Sequence, residues 1–166
     1  HPEITDIGKL LDELNREIIK SLKQNEKSAE SRDGMDIAIL HLNKKTNELF
    51  YAGANRPLLQ ISEGLLTEHA ADKFPIGGYG DLDKTFTLNK VTYKKGDRFY
   101  LFSDGYADQF GGPKGKKLMT KNLKSYLIET SAKQLGEQGI LIQGKFNEWK
   151  SNYEQVDDVC IIGIQM

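Results

Sequence analysis

The spacing of apolar residues near the start of the chain predicts a helix. Between residues 7 and 22, apolar residues recur every three or four positions, and polar residues fill the gaps. The apolar positions are Ile7, Leu10, Leu11, Leu14, Ile18 and Leu22. This period is typical of an amphipathic helix, and Thr5 and Asp6 are candidate N-caps. We predict a helix over residues 7–24 that packs one face against a core, followed by a polar loop to residue 32.

After Asp33 the pattern changes to short apolar runs separated by Gly, Pro, Asn and Asp. Such runs are typical of strands joined by tight turns. The predicted strands are 37–42, 48–52, 58–61, 65–67, 85–88, 90–93, 99–102 and 159–164. The first four follow one another closely enough to form two hairpins.

Helical spacing returns in the last third of the chain. Two helices are predicted from apolar positions: the first from Met119, Leu123, Tyr126 and Leu127, and the second from Leu135, Ile142, Phe146 and Trp149. Glycines at positions 136 and 139 allow the alternative that the second helix is interrupted there. Between strand 99–102 and these helices, the glycine- and lysine-rich residues 111–117 predict a flexible basic loop. Hairpin-linked strands with segregated helices indicate an α+β fold with antiparallel sheet.

Composition narrows the class of protein. The chain has 166 residues, 28% charged and 38% hydrophobic, which fits one globular domain. A net charge of −1 gives no broad basic field, so nucleic acid is not an expected partner. The single cysteine, Cys160, excludes an internal disulfide, and its apolar neighbours predict burial. We find no signal peptide and no apolar run of membrane-spanning length, and expect a cytoplasmic domain. A membrane tether in a segment that precedes His1 in the parent protein is an alternative that the sequence leaves open.

Two aspartate segments are the candidates for chemistry. Ser103-Asp104-Gly105 follows one predicted strand, and Val156-Asp157-Asp158-Val159 leads into the last one. A carboxylate where a strand meets a turn is held rigidly yet faces solvent, which suits Mg²⁺ or Mn²⁺. Taken singly, each segment is better explained as a turn; the two together, each at the end of an apolar strand-like run, favour a metal site. Asp104 and Asp157 can share an ion only if their strands are neighbours in a sheet.

Other catalytic patterns are lacking. His41 falls in a predicted strand, His69 lies in a polar loop, and neither is coupled to a nucleophile. Residues 111–117 depart from a phosphate-binding loop, because Phe110 replaces the first glycine and Lys117 stands where Ser or Thr is required.

Five motifs in order give the chain a family resemblance. They are Asp33-Gly34-Met35-Asp36, Ala52 to Leu58, Phe74-Pro75-Ile76-Gly77, Gly96 to Tyr106, and Gln155 to Val159. Together they resemble the metal-dependent protein phosphatase (protein phosphatase 2C) superfamily, and more narrowly its bacterial branch named after stage II sporulation protein E. The resemblance covers nearly the whole chain and agrees with the C-terminal two-thirds of that domain.

The resemblance implies a fold, a reaction and ligands. The fold would be a sandwich of two antiparallel sheets flanked by helices. Two Mn²⁺ or Mg²⁺ ions would activate a water that attacks phosphoserine or phosphothreonine directly. Asp104 and Asp157 would be the catalytic metal ligands, and Asp158 would be a neighbouring ligand. Asp33 would be a metal ligand at the place where some relatives bind a third ion. The implied substrate is a phosphorylated protein of the anti-sigma-factor-antagonist type, and the implied regulator is an upstream sensor domain.

One departure from the family pattern changes the expectation. No Asp-x-x-Gly-His-Gly motif, whose aspartate bridges both ions in the family, precedes Asp33. We therefore expect residues 1–166 to be a single phosphatase-type domain that is incomplete at its N-terminus, with weak or absent metal binding and little activity. An uncovered sheet edge would favour a homodimer or strand exchange. Two alternatives are a non-catalytic signalling or binding module that keeps the fold, and an unrelated β-rich binding domain.

Overall fold

The structure is a computed structural model that describes residues 6–26, 32–78 and 81–166. The candidate cap Thr5 and residues 27–31 of the predicted polar loop lie outside the described residues. Contacts divide the chain into two compact units. Unit 1 takes the described residues of His1–Leu58 and His69–Tyr93, and unit 2 takes Leu59–Glu68 and Lys94–Met166.

Fifteen elements make up the described chain. In order they are α1 (Ile7–Ser21), β1 (Gly34–Met35), β2 (Ile37–Asn43), β3 (Glu48–Ala54), β4 (Leu58–Ser62), β5 (Leu65–His69), β6 (Ile76–Gly77), β7 (Asn89–Val91), β8 (Arg98–Phe102), α2 (Gly105–Asp108), β9 (Phe110–Gly111), β10 (Lys116–Lys117), α3 (Thr120–Glu129), α4 (Leu135–Lys150) and β11 (Ile161–Gln165).

Helix α1 supplies one wall of the core of unit 1. The Asp6 carboxylate accepts hydrogen bonds from the backbone N–H groups of Gly8 and Lys9, which satisfies donors that a helix start leaves unpaired. Leu11 and Ile19 are fully buried. The predicted helix is confirmed, and it ends three residues earlier than predicted.

The strands of unit 1 form a three-stranded antiparallel sheet in the order β2-β3-β7 and a separate pair, β1-β6. The predicted hairpin of β2 and β3 is confirmed, with Ile37 opposite Ala54 and Asn43 opposite Glu48.

The predicted strand over residues 85–88 is wrong. The Phe86 N–H donates to Asp12 Oδ1 at 2.7 Å, and the Thr87 N–H donates to Asp72 Oδ2 at 2.8 Å. Carboxylates from distant parts of unit 1 therefore take the donors that a neighbouring strand would have used.

Unit 2 is built on a four-stranded sheet in the order β11-β8-β4-β5. A cluster of buried side chains joins its strands to α2, α3 and α4: Leu59, Ile61, Tyr100, Tyr106, Leu118, Leu123, Leu127, Ile142 and Phe146. Helix α4 runs unbroken from Leu135 to Lys150, so its two glycines do not interrupt it. The final strand is confirmed, although it begins at Ile161 and not at residue 159.

The stretch predicted as a flexible basic loop is a short hairpin. Strands β9 and β10 pair antiparallel, with Gly111 opposite Lys116 and Phe110 opposite Lys117. The Trp149 indole donates to the carbonyls of Gln109 and Lys116, both at 3.2 Å, and ties the hairpin to the end of α4. The sequence did not show this anchor because Trp149 lies over 30 residues further along the chain.

Asp97, in the turn before β8, is a buried carboxylate that links this turn to strand β4 in unit 2. It is 3% exposed and accepts hydrogen bonds from Gln60 Nε2 at 2.9 Å and from the Lys94 N–H at 3.2 Å. Burial raises its pKa, but hydrogen bonds from Ser62, the Lys94 backbone and Gln60, with the Lys94 charge, outweigh burial and hold the pKa below its usual range.

Asp97→Asn is expected to lower the free energy of unfolding of the chain at pH 7 by about 1–3 kcal/mol, because it leaves buried donors poorly paired. A pKa depressed in the folded state stabilises the fold above the unfolded value of about 4 and loses that contribution as pH falls through the folded value. Denaturant unfolding from pH 7 to pH 2 should therefore show the variant and the unaltered chain converging in acid. Glu154→Gln, at an exposed carboxylate, should change little at any pH; equal acid sensitivity of the Asp97 variant and the unaltered chain would contradict the assignment.

The fold class is mixed α+β with antiparallel sheets, as predicted. Within the part of the chain that the structure describes, every helix is too short or too polar to cross a membrane.

Candidate metal site

The candidate site lies at one end of the sheet in unit 2. Strands β8 and β11 are adjacent and antiparallel, and Phe102, the last residue of β8, stands opposite Ile161, the first of β11. The residues that follow β8 and those that precede β11 must therefore share the same end of the sheet. Asp104 and Asp157 can share an ion only if their strands are neighbours in one sheet. The pairing of β8 with β11 meets this condition.

Ser103 joins the two segments beyond the last strand pair. Its hydroxyl donates to the Asp158 carbonyl at 2.8 Å and accepts from the Cys160 N–H at 2.9 Å. Its backbone N–H donates to the Cys160 carbonyl at 3.0 Å. These three bonds place the backbone of Asp104 next to that of Asp158. The role of Ser103 was not predicted from the sequence; a hydroxyl directly before the aspartate was the available signal.

Gly105 lets the two segments approach closely. A Cβ atom at this position would lie 2.4 Å from the Asp158 carbonyl oxygen and 3.3 Å from that of Asp157. The first distance is shorter than a non-bonded contact allows, and the opposing atoms belong to the backbone. Glycine is therefore required here by proximity to the second aspartate segment.

Three carboxylates belong to this end of the sheet. Asp104 is half-buried at the start of α2, and its carbonyl accepts the Asp108 N–H at 2.9 Å. Asp157 and Asp158 are exposed, and Asp157 Oδ1 accepts the Asp158 N–H at 2.7 Å. Negatively charged side chains at one end of a sheet attract a cation from solvent.

The donor set fits a hard divalent cation in its chemistry. Carboxylate oxygens at a solvent-facing strand end are ligands that Mg²⁺ or Mn²⁺ takes while retaining water. Over residues 6–26, 32–78 and 81–166, however, no three His, Cys, Asp or Glu side chains converge closely enough to enclose an ion. The chemistry fits an ion that keeps much of its water shell.

The remaining predicted ligand, Asp33, lies in unit 1. It is exposed, and its carbonyl accepts Gln24 Nε2 at 2.7 Å. Its assignment to a third ion stays a prediction. Nearby Asp36 binds Arg56 at 3.0 Å and the Asn55 amide at 2.9 Å. The motif around Arg56 is thus fixed by a carboxylate of another motif in the same unit.

The predicted burial of Cys160 is wrong. Cys160 is exposed, because it lies just before β11, which is an edge strand of the sheet. An edge strand leaves one side open to solvent even where its sequence is apolar.

A cavity of about 500 Å³ in unit 2 offers no carboxylate or histidine. It is lined mainly by apolar side chains and by amides, among them Tyr100, Tyr106, Gln138 and Phe146. Burial raises the pKa of Tyr106, whose hydroxyl donates to the Ile142 carbonyl at 3.0 Å. A cavity with these neutral groups does not suit a divalent cation, so we place the candidate site at the aspartate segments.

Comparison with known protein families identifies the family of this chain. The family model described as Stage II sporulation protein E (SpoIIE) matches residues 3–166. The chain belongs to this family. Comparison with curated protein sequences gave no match.

Solved structures agree on the fold of this SpoIIE-family chain. The SiaA-PP2C domain of Pseudomonas aeruginosa superposes with a TM-score of 0.83 at 24% identity, covering 97% of this chain and 61% of that one. The PPM Ser-Thr phosphatase MsPP from Mycobacterium smegmatis, in complex with cacodylate, has a TM-score of 0.62 at 10% identity and covers 95% and 72%. The manganese-presoaked phosphatase domain of SpoIIE from Bacillus subtilis has a TM-score of 0.56 at 14% identity and covers 100% and 76%.

At these identities the likenesses show the fold. They confirm that the fold is the one predicted from the resemblance to protein phosphatase 2C domains, while the predicted SpoIIE branch is confirmed by the family model. The chain spans 61% of the SiaA-PP2C domain that it matches, so the activity, substrates and partners of the whole protein are matters for proposal.

Proposed function

We propose that this SpoIIE-family chain is a metal-dependent protein serine/threonine phosphatase domain. Its substrate would be a phosphoserine or phosphothreonine on a bacterial regulatory protein of the anti-sigma-factor-antagonist type. The main support is that Asp104 and Asp157–Asp158 occupy adjacent strand ends, joined through Ser103.

In this proposal Asp104 and Asp157 hold a Mn²⁺ or Mg²⁺ ion, and Asp158 adds negative charge beside them. The Ser103 hydroxyl and the close approach of Gly105 fix the distance between the backbones of the two segments, so that the residues that carry the ligands are already neighbours before the ion arrives. When bound, the ion supplies positive charge that lowers the pKa of water and offsets charge on phosphoryl oxygens. The exposed carboxylates leave the phosphoester free access from solvent.

Binding of the ion by this chain is expected to be weak. Fewer than three candidate ligands converge among the described residues, and each missing charged ligand removes attraction for a divalent cation. The same observation favours the second candidate function, a non-catalytic module that keeps the phosphatase fold. Both candidates predict the same fold and differ in turnover.

Hydrolysis of para-nitrophenyl phosphate separates the two candidates. At millimolar Mn²⁺ the chain is expected to release phosphate slowly, and a chelator should return the rate to that of buffer. Activity should reappear when Mn²⁺ is restored. A rate that equals buffer at every Mn²⁺ concentration would favour the non-catalytic module.

A further inference from the structure

A lysine-rich, exposed segment follows Asp104 along the chain. Residues 105–124 contain five lysines and one aspartate, a formal charge of +4 in a chain whose net charge is −1. Lys114, Lys116, Lys117 and Lys121 are exposed. We call these four residues, with Phe110 and Met119, the lysine hairpin surface. Charge of one sign is thus concentrated on the segment that begins at the candidate metal site.

Ion pairs within unit 2 do not cancel this charge. Lys117 pairs with Asp108 at 3.0 Å, and Lys124 pairs with Glu68. Counting both acids against the five lysines still leaves a formal charge of +3. Exposed pairs of this kind also contribute little binding energy, so the lysines can exchange these partners for others.

Two exposed apolar residues lie among the lysines. Phe110 is 40% exposed with the Lys117 ammonium 5.9 Å from its ring centre, and Met119 is 57% exposed. Met119 has φ of 72°, a conformation that side-chain-bearing residues rarely adopt. Its N–H donates to the Ala107 carbonyl at 2.7 Å, which holds it there. Exposed apolar residues with polar groups around them match the apolar core and polar rim of protein-binding surfaces.

Close backbone contacts and hydrogen bonds hold the lysine hairpin surface against the end of α4. A Cβ on Gly111 would lie 1.9 Å from the Trp149 carbonyl oxygen, and the Gly112 N–H donates to that oxygen at 2.8 Å. Gln109 Nε2 donates to the Glu154 carbonyl at 2.8 Å. The backbone of the hairpin is therefore fixed to the end of α4, so docking would have to order only the lysine side chains.

We propose that the lysine hairpin surface docks an acidic segment of the phosphoprotein substrate. This inference rests on the proposed function. Charge complementarity selects the partner: positive side chains would bind Asp and Glu residues flanking the phosphorylated side chain, and Phe110 and Met119 would contact apolar residues between them. The four-residue helix α2 links this surface to Asp104, so docking would bring the phosphoryl group towards the candidate metal site.

Peptide binding without metal tests the docking proposal. The probes are a fluorescent phosphoserine peptide flanked by Asp and Glu, and a matched peptide flanked by Asn and Gln. At about 50 mM salt the chain is expected to bind the acidic peptide about tenfold more tightly, because several modest charge pairs add up. The preference should vanish at about 500 mM salt, where exposed charges are screened.

A triple charge reversal locates the surface. Lys114→Glu, Lys116→Glu and Lys121→Glu together should abolish the preference while leaving the circular dichroism spectrum and unfolding midpoint unchanged. The control reverses three exposed lysines elsewhere, Lys44, Lys45 and Lys95, with the same change in net charge, and should keep the preference. Equal loss in both variants, or no preference in the unaltered chain, would overturn the proposal.

Two further measurements keep the alternatives apart. If vesicles containing phosphatidylserine bind through these lysines and the acidic peptide does not, the partner is a membrane surface and the docking proposal is wrong. Mn²⁺-dependent hydrolysis of para-nitrophenyl phosphate by the unaltered chain tests the proposed function separately. Failure of that hydrolysis with intact peptide preference would reject the phosphatase activity and retain the acidic-segment site.

Discussion

Gly105→Ala is expected to destabilise unit 2 by about 3 kcal/mol, in the range found for overpacked sites. The new Cβ would lie 2.4 Å from the Asp158 carbonyl oxygen and 2.9 Å from its carbonyl carbon. Because these are backbone atoms, relief requires the two aspartate segments to separate. For a chain of this size, the unfolding midpoint should fall by roughly 10 °C.

Separation of the segments also predicts a functional signature. Mn²⁺ affinity should fall in the Gly105 variant although no carboxylate has changed. The control is Gly144→Ala, in α4, where a Cβ meets nothing within 4 Å. Alanine in a helix interior should stabilise the chain by about 0.5–1 kcal/mol and leave Mn²⁺ affinity unchanged. A Gly105 variant as stable as the unaltered chain would show that the two segments are not in contact.

Asp157→Asn is expected to reduce Mn²⁺-dependent hydrolysis of para-nitrophenyl phosphate by about 100-fold or more, since changes around metal ligands alone already cost 10–100-fold. The substitution keeps the size of the side chain but removes the charge that attracts the ion. The exposed position of Asp157 means that folding should be little affected. The measurement is kcat/KM at one fixed Mn²⁺ concentration below saturation, together with the unfolding midpoint.

The matched control for this substitution is Asp83→Asn. Asp83 lies in unit 1, and its backbone N–H donates to Asp81 Oδ1, a bond that the substitution leaves in place. Its kcat/KM should stay within about twofold of the unaltered chain, as expected of a surface change. If Asp83→Asn and Asp157→Asn lower the rate equally, the loss has no connection with the proposed ligand.

Local patterns in the sequence predicted most of the elements. Apolar spacing identified α1, because its contacts repeat every turn, and Asp6 marked its start. The apolar runs of β8 and of the final strand were equally clear; β8 begins with three buried residues, and β11 has two half-buried isoleucines. These features depend on neighbours along the chain, so the sequence carries them directly.

Features that depend on distant residues were missed. Residues 85–88 have a strand-like composition, but side chains of Asp12 and Asp72 take the N–H groups of Phe86 and Thr87. The hairpin at 110–117 depends on Trp149. No periodicity within a short window reports a partner tens of residues away.

The candidate site shows the same division. Asp104 and Asp157 were identifiable by residue type and by position at strand ends. Their approach depends on the register of β8 against β11, on the Ser103 hydroxyl, and on the absence of a side chain at Gly105. The order of the motifs along the chain suggested, through the family resemblance, that the two aspartates lie close together. The register of β8 against β11 is the physical reason why their segments do.

Calorimetric titration of Mn²⁺ into four proteins tests the central claim most directly: the unaltered chain, Asp104→Asn, Asp157→Asn and the double variant. If both carboxylates hold one ion, each single substitution should remove most of the measurable affinity, and the double should lose little more. Additive losses, or an affinity that neither substitution changes, would contradict a shared ion at the ends of β8 and β11.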